Sequence, residues 1–129
     1  MITFTWADYG SLAQKLRADT DEASQRTAIS RLYYSVFHQA RLYLEGEGVI
    51  FSTMGPSTHQ QVWMEFQRRG RSHRAIGSLG GQLQKYRVQA DYFDQISKLE
   101  EIVKDSFKNA ETAITYLQQI QSTKNPDQS

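Results

Sequence analysis

Arg31 and His38 are the residues whose type and spacing best fit acid–base chemistry. They are seven positions apart, so on a helix they lie about two turns, or about 10.5 Å, from each other along nearly the same line. Histidine titrates near neutrality and can move a proton to or from the 2′-hydroxyl or the leaving 5′-oxygen of RNA. Arginine can hold the phosphate and stabilise the charge that develops in the transition state. The pair therefore predicts RNA cleavage, while a salt bridge for Arg31 and a packing contact for His38 fit the spacing equally well.

Other catalytic chemistries find little support in the sequence. It contains no cysteine, which excludes disulfides, thiol catalysis and cysteine-based zinc sites. It also lacks a phosphate-binding glycine loop, a dinucleotide fingerprint and the HExxH and GxSxG motifs. The histidines show no metal-ligand spacing with carboxylates on a shared face, so we expect neither a metal nor a cofactor. We interpret His59 as structural, and we rank a rival pair, Arg68 and His73, lower because glycines interrupt its segment.

A second group of candidates is a run of cations within residues 67–90, where no acidic residue occurs. Its members are Arg68, Arg69, Arg71, Arg74, Lys85 and Arg87. The planar fork of arginine can donate two hydrogen bonds to one phosphate. We therefore predict that four of these arginines bind substrate, namely Arg68, Arg71, Arg74 and Arg87. The alternative is a solvated basic loop whose charge is balanced in space by acids such as Glu65 or Asp91.

The segment that must position Arg31 and His38 is residues 27–45, the longest strongly periodic run in the chain. Its apolar side chains recur at steps of three and four, which is typical of an amphipathic helix. They are Ile29, Leu32, Tyr33, Val36, Phe37, Ala40 and Leu44. Tyr34 and Ser35 lie with Arg31 and His38 on the opposite face. An apolar stripe alone suffices for folding, so this polar face indicates function, and we predict that Tyr34 and Ser35 contact the substrate.

The rest of the chain is predicted to be all-α. Helices are expected at about residues 6–18, 22–45 and 57–70, with a fourth after residue 81 and a last one over 97–121. Residues 71–81 are expected to be irregular because they contain three glycines. Val49, Ile50 and Phe51, in the loop over residues 46–56, are expected to fold back onto the core. These elements predict a compact bundle of four to five helices in one domain, residues 1–121, followed by a frayed polar tail at 122–129.

Composition sets further bounds on the class of protein. The chain has 129 residues, 39% hydrophobic and 22% charged, with a net charge of +1, which is typical of a soluble globular domain. No apolar run approaches the roughly 20 residues of a membrane span, and no secretory signal is visible at the start. We therefore expect a cytoplasmic protein without a membrane association.

Three segments, in order, resemble the HEPN family (higher eukaryotes and prokaryotes nucleotide-binding domain). AISRLYYSVFHQARLYL is similar to the signature of that family's second helix, STHQQVWMEF to its Thr-His segment, and LQKYRVQADYF to its Ala-Asp-Tyr block. Order and spacing agree over about residues 6–121. The resemblance implies an up-down helical bundle that commonly forms a homodimer. It also implies relatives that cleave RNA without a metal through an arginine and a histidine separated by four to six residues, a pattern that Arg31 and His38 fit.

The resemblance leaves two functions open. The first is a metal-independent endoribonuclease, a toxin or defence effector, in which two protomers bring Arg31 and His38 together; many such toxins are encoded beside a nucleotidyltransferase antitoxin. The second is a non-catalytic nucleotide-binding or protein-interaction module that works with a nucleotidyltransferase. Leu32 stands directly after the arginine, where catalytic members usually carry a polar residue, and this favours the second. Arg87, Asp91 and Tyr92 also match family positions, and polar contacts that lock the bundle are an alternative role for them.

Overall fold

The computed structural model describes residues 3–124, which form five α-helices and no β-strand. The helices are α1 (Ala7–Arg17), α2 (Glu22–Gly46), α3 (Thr58–Gln67), α4 (Arg71–Tyr92) and α5 (Leu99–Lys124). The prediction of an all-α bundle is confirmed. Helix α5 continues through Lys124, which is inside the segment predicted to be a tail, and residues 125–129 lie outside the described residues.

Helix α2 is the centre of the bundle and contacts each of the other four helices. All seven residues of its predicted apolar stripe are buried. Its start is fixed by Asp21, whose carboxylate accepts a hydrogen bond of 2.9 Å from the backbone N–H of Ser24, the usual way to satisfy a free donor at a helix N-terminus. This hydrogen bond from the Ser24 backbone lowers the pKa of Asp21. Helix α3 starts with the predicted capping box of Ser57 and Gln60.

Helix α4 departs from the prediction, because the segment expected to be irregular, residues 71–81, is helical from Arg71 onward. Gly77 and Gly80 are buried where α4 meets α3. A Cβ atom at Gly80 would lie 2.3 Å from Cε3 of Trp63, and one at Gly77 would lie 2.8 Å from the Trp63 carbonyl oxygen. The glycines therefore allow two helices to approach closely, and this packing outweighs the helix-propensity cost of about 1 kcal/mol for each glycine.

The connection from α2 to α3 is only partly packed. Val49 and Phe51 contact the core as expected, whereas Ile50 is 92% exposed and the prediction for it is wrong. Arg69 holds this connection in place, since it forms ion pairs of 2.6 Å with Glu47 and 2.8 Å with Glu65. No helix within residues 3–124 has the length and the apolar character that a membrane span requires.

Candidate functional site

The ring of Tyr34, on α2, is the common contact of two arginines from different helices. The guanidinium carbon of Arg31 lies 5.2 Å from the centre of this ring, and that of Arg87, from α4, lies 5.5 Å from it. Arg31 also lies over Tyr9 of α1 at 4.9 Å. An arginine placed over an aromatic ring is attracted to the ring's electron-rich face. The packing of α1 and α4 on α2 thus brings together two side chains that are 56 positions apart.

A single carboxylate connects the two arginines. Arg31 donates a hydrogen bond of 3.3 Å to the Ser30 hydroxyl, which donates one of 3.3 Å to Asp91, and Arg87 forms an ion pair of 3.4 Å with the same carboxylate. These contacts are long, and the Nε atom of Arg87 is buried without a hydrogen-bond partner. Arg31 forms no ion pair with a described residue, so the salt bridge considered for it is not seen. Two guanidiniums share one carboxylate, which leaves the site with a net positive charge.

His38 lies at the edge of this group, covered by the indole of Trp6. The two rings stack with centres 3.7 Å apart and planes 21° apart. The Nδ1 atom of His38 accepts a hydrogen bond of 3.2 Å from Nε of Arg41. Partial burial, then the positive charge of Arg41 and the nearby His59, lower the pKa of His38 to about 4. His38 is therefore neutral at neutral pH, and because Nδ1 is an acceptor, its proton is on Nε2.

His59 is a residue of the site that the sequence interpretation missed. Its ring stacks on Phe37 with centres 4.0 Å apart. The ring centre of His59 lies 5.8 Å from that of Tyr34, and the ring centre of His38 lies at the similar distance of 6.1 Å from it. The structural role predicted for His59 is also present, because its Nδ1 atom is 2.6 Å from the buried hydroxyl of Tyr33. The one sequence signal for its importance is the Thr-His segment of the family resemblance.

The tautomer of His59 follows from its hydrogen bonds. Trp63 donates a bond of 3.2 Å to the Tyr33 oxygen, so the Tyr33 proton is left to be donated to Nδ1 of His59. Burial raises the pKa of Tyr33, which keeps that proton in place. Burial and the charge of Arg87 lower the pKa of His59. His59 is thus also neutral with its proton on Nε2.

The predicted site residues fall into two groups. Arg31, Tyr34, His38 and Arg87 come together, and with His59 they form what we call the Tyr34 cluster. Its arginines and its two imidazole Nε2 atoms are all N–H donors, a combination that suits an anion such as phosphate. Ser35 is 4% exposed and accepts a hydrogen bond from Gln39. Its hydroxyl lies under α1, against Gly10, rather than with the cluster.

The basic residues before and at the start of α4 are separate from the Tyr34 cluster. Arg68 forms an ion pair of 2.7 Å with Glu65, which also binds Arg69, so part of the positive charge is balanced as the alternative supposed. Arg71 and Arg74 are exposed on the first turn of α4. The rival pair of Arg68 and His73 does not form, since His73 is 3.0 Å from the Tyr43 hydroxyl and stacks on Phe66.

The chain is similar to a curated protein of a bacterium. A UPF0332 protein of Thermotoga maritima is 26% identical to this chain over 98 residues, which cover 73% of this chain and 70% of that protein. No family model matches, and no solved structure matches. The name of the relative states no activity. Within residues 3–124, no three histidine, aspartate or glutamate side chains are grouped so that they could hold a metal ion.

Proposed function

We propose that the protein is a metal-independent endoribonuclease, a toxin or defence effector that acts as a homodimer, with Arg31 and His38 as its catalytic residues. The observation that carries the proposal is the convergence of two guanidiniums and two imidazoles around Tyr34. The single carboxylate, Asp91, contacts Arg87 at the long distance of 3.4 Å, so a phosphate dianion or diester is a strong competitor for that arginine.

The residues have distinct roles in this proposal. Arg31 and Arg87 donate hydrogen bonds to the non-bridging oxygens of the scissile phosphate and stabilise the charge that develops there. Tyr34 offers an aromatic surface beside the phosphate for the ribose or a base. A phosphate beside His38 raises the pKa of its imidazole because a nearby negative charge favours the protonated form. The resulting imidazolium can donate its proton to the leaving 5′-oxygen.

Cleavage also requires a base that takes the proton of the 2′-hydroxyl. The homodimer is part of the proposal because the family resemblance implies one. In one protomer, both Nδ1 atoms accept hydrogen bonds and both Nε2 atoms carry protons, so no imidazole lone pair is free. Two protomers that bring their Tyr34 clusters together supply one histidine as the acid and a second histidine for the base. That second histidine must first exchange its tautomer.

A second candidate function is favoured by the same hydrogen bonds. A cluster whose arginines and imidazole Nε2 atoms all present N–H donors, with His38 at a pKa of about 4, is well suited to hold a phosphate without moving a proton. In this case the chain is a nucleotide-binding or protein-interaction module that works with a nucleotidyltransferase. Leu32, buried directly after Arg31, also fits this candidate.

The test uses purified protein that has been treated with a chelator, together with end-labelled single-stranded RNA. We expect cleavage that leaves 2′,3′-cyclic phosphate ends. The His38→Gln variant should cleave more slowly by about 100-fold or more, the usual loss of a general acid or base. Arg31→Gln should weaken RNA binding by about 10-fold or more, the effect of losing a hydrogen bond to a charged group. Lys108→Gln, which removes one exposed charge from α5, is the matched control and should change neither quantity.

The outcomes separate the two candidates. Folded, dimeric protein that binds RNA or a nucleotide through Arg31 but cuts no RNA supports the binding module and contradicts the nuclease. Protein that neither binds nor cuts, or whose activity is the same in the His38→Gln variant, contradicts the role of the Tyr34 cluster altogether. Sedimentation of the same samples tests the homodimer.

A further inference from the structure

Arg41 and Glu45 extend the polar face of α2 beyond His38. Nε of Arg41 donates a hydrogen bond of 3.2 Å to Nδ1 of His38, and its Nη1 atom forms an ion pair of 2.9 Å with Glu45. The Arg41 side chain is 20% exposed. It is therefore held between two partners, at spacings of three and four residues that place all three side chains along one face of the helix.

The Arg41–His38 hydrogen bond has only one possible direction. A guanidinium has donors and no acceptor. Nδ1 of His38 must then carry a lone pair, which places the proton of the neutral ring on Nε2. An imidazolium would direct an N–H at the guanidinium, so protonation of His38 requires this hydrogen bond to break.

The other groups around His38 leave Arg41 in control of its tautomer. Its charged or titratable neighbours are Arg41 and Glu45 on α2 and His59 on α3. From the segment before α1, Trp6 covers the ring with an uncharged indole. On α2 itself, the Tyr34 and Phe37 rings approach it at 6.1 Å and 4.9 Å. No hydrogen bond other than that from Arg41 is made to the His38 ring within the described residues.

We propose that Arg41 is a positioning residue that holds His38 as the Nε2–H tautomer, so that His38 presents a donor to phosphate and no free lone pair. The phosphate part rests on the proposed function, whereas the tautomer is a property of the free protein. His38 can act as a base only after Arg41 has moved away, and Glu45 opposes that movement. Arg41 thereby sets whether the Tyr34 cluster holds RNA or reacts with it.

The experiment is nuclear magnetic resonance of the whole protein labelled with 15N at histidine, at neutral pH and without RNA. The two ring nitrogens of a neutral histidine have clearly different 15N shifts, so the spectrum reports the tautomer directly. His38→Gln assigns the signals. In the wild type we expect a protonated Nε2 and an unprotonated Nδ1 at His38. In Arg41→Leu we expect both His38 nitrogens to move toward a tautomer mixture and the pKa of His38 to rise by about 1 unit or more, because a neighbouring cation has been removed.

Three further variants separate positioning from a general structural effect. Arg68→Leu removes an exposed arginine that pairs with Glu65, and it should leave the tautomer and the pKa of His38 unchanged. The His73 signals should stay unchanged in every variant. Glu45→Gln keeps Arg41 but loosens it, and should shift the tautomer of His38 in the same direction as Arg41→Leu. It should lower the pKa of His38 further, because the charge of Glu45 raises that pKa. This variant also serves if Arg41→Leu fails to fold. Arg41→Lys, which keeps the charge and a donor, should restore part of the wild-type tautomer preference.

The proposal is overturned if wild-type His38 carries its proton on Nδ1, or if Arg41→Leu and Glu45→Gln both leave the tautomer unchanged. RNA cleavage is measured on the same variants, and the pH at which the activity falls on the alkaline side, where His38 as the acid loses its proton, should follow the pKa of His38. Failure of the proposed function gives a different result, in which the tautomer shifts as expected while the wild type neither binds nor cuts RNA.

Discussion

Replacement of Gly80 by alanine tests the contact that aligns α3 with α4 and, through it, the Tyr34 cluster. The added Cβ would lie 2.3 Å from two ring atoms of Trp63, so ring or helix must move by about 1 Å to reach ordinary contact. Trp63 is buried, and its indole N–H is bonded to Tyr33. It therefore has little room to yield without disturbing the hydrogen bond from Tyr33 to His59.

The magnitude follows from two opposing terms. Overpacking a well-packed site costs about 1–3 kcal/mol, while alanine in place of glycine inside a helix gains about 1 kcal/mol. Gly81 is the matched control, because it follows Gly80 in the same helix and a Cβ there meets nothing within 4 Å. Gly81→Ala keeps the gain without the cost, so the two variants should differ by the overpacking term, about 1–3 kcal/mol.

The assay is thermal and urea unfolding of both variants beside the wild type. For a domain of this size 1 kcal/mol corresponds to about 4 °C in Tm. Gly81→Ala should therefore unfold about 4–12 °C above Gly80→Ala. Equal stabilities would refute the close packing of α4 on Trp63. A fall in stability for Gly81→Ala would contradict the helical conformation of this glycine-rich segment.

The remaining predictions concern the two histidines. Tyr33→Phe removes the oxygen that accepts the hydrogen bond of Trp63 and the hydroxyl that donates to His59. It should lower the free energy of unfolding, measured in urea, by about 1–3 kcal/mol, the cost of leaving buried groups unsatisfied. An unchanged urea midpoint would show that these bonds contribute nothing to stability. The folded-state pKa of His38, about 4, is below the ordinary 6.5. Between these two values the unfolded chain binds more protons than the folded one. The free energy of unfolding should therefore be unaffected by His38 above pH 6.5 and should decrease as the pH falls from 6.5 toward 4. His38→Gln should reduce this decrease, and an identical pH dependence in the variant would place its origin elsewhere.

The elements that sequence reasoning found are those whose signals are local. The stripe of α2 repeats at steps of three and four residues, and the Ser57–Gln60 capping box lies within one turn. The course of α4 was missed because its glycines carry a local cost, whereas the compensating contact with Trp63 comes from another helix. No pattern within residues 71–81 encodes that partner.

The composition of the site was predictable only in part for the same reason. Arg31 and His38 share a helix, so their spacing is visible in the sequence. His59 reaches the Tyr34 cluster because α3 packs against the bundle, and no spacing relates it to His38. The helical rotation of about 100° per residue puts Ser35 on the face of Arg31, opposite the apolar stripe. In the structure α1 covers that position, where the small side chain of Ser35 and Gly10 let the helices approach.

The stacking of Trp6 on His38 gives the protein an optical probe of its own. The chain has two tryptophans, and Trp63 lies in the core while Trp6 lies 3.7 Å from the imidazole. A protonated imidazole quenches the emission of an indole stacked on it far more strongly than a neutral one does. The fluorescence of a Trp63→Phe variant would therefore report the ionisation of His38 continuously and in unlabelled protein. It would also report, during a single titration, the moment at which an anion enters beside this ring.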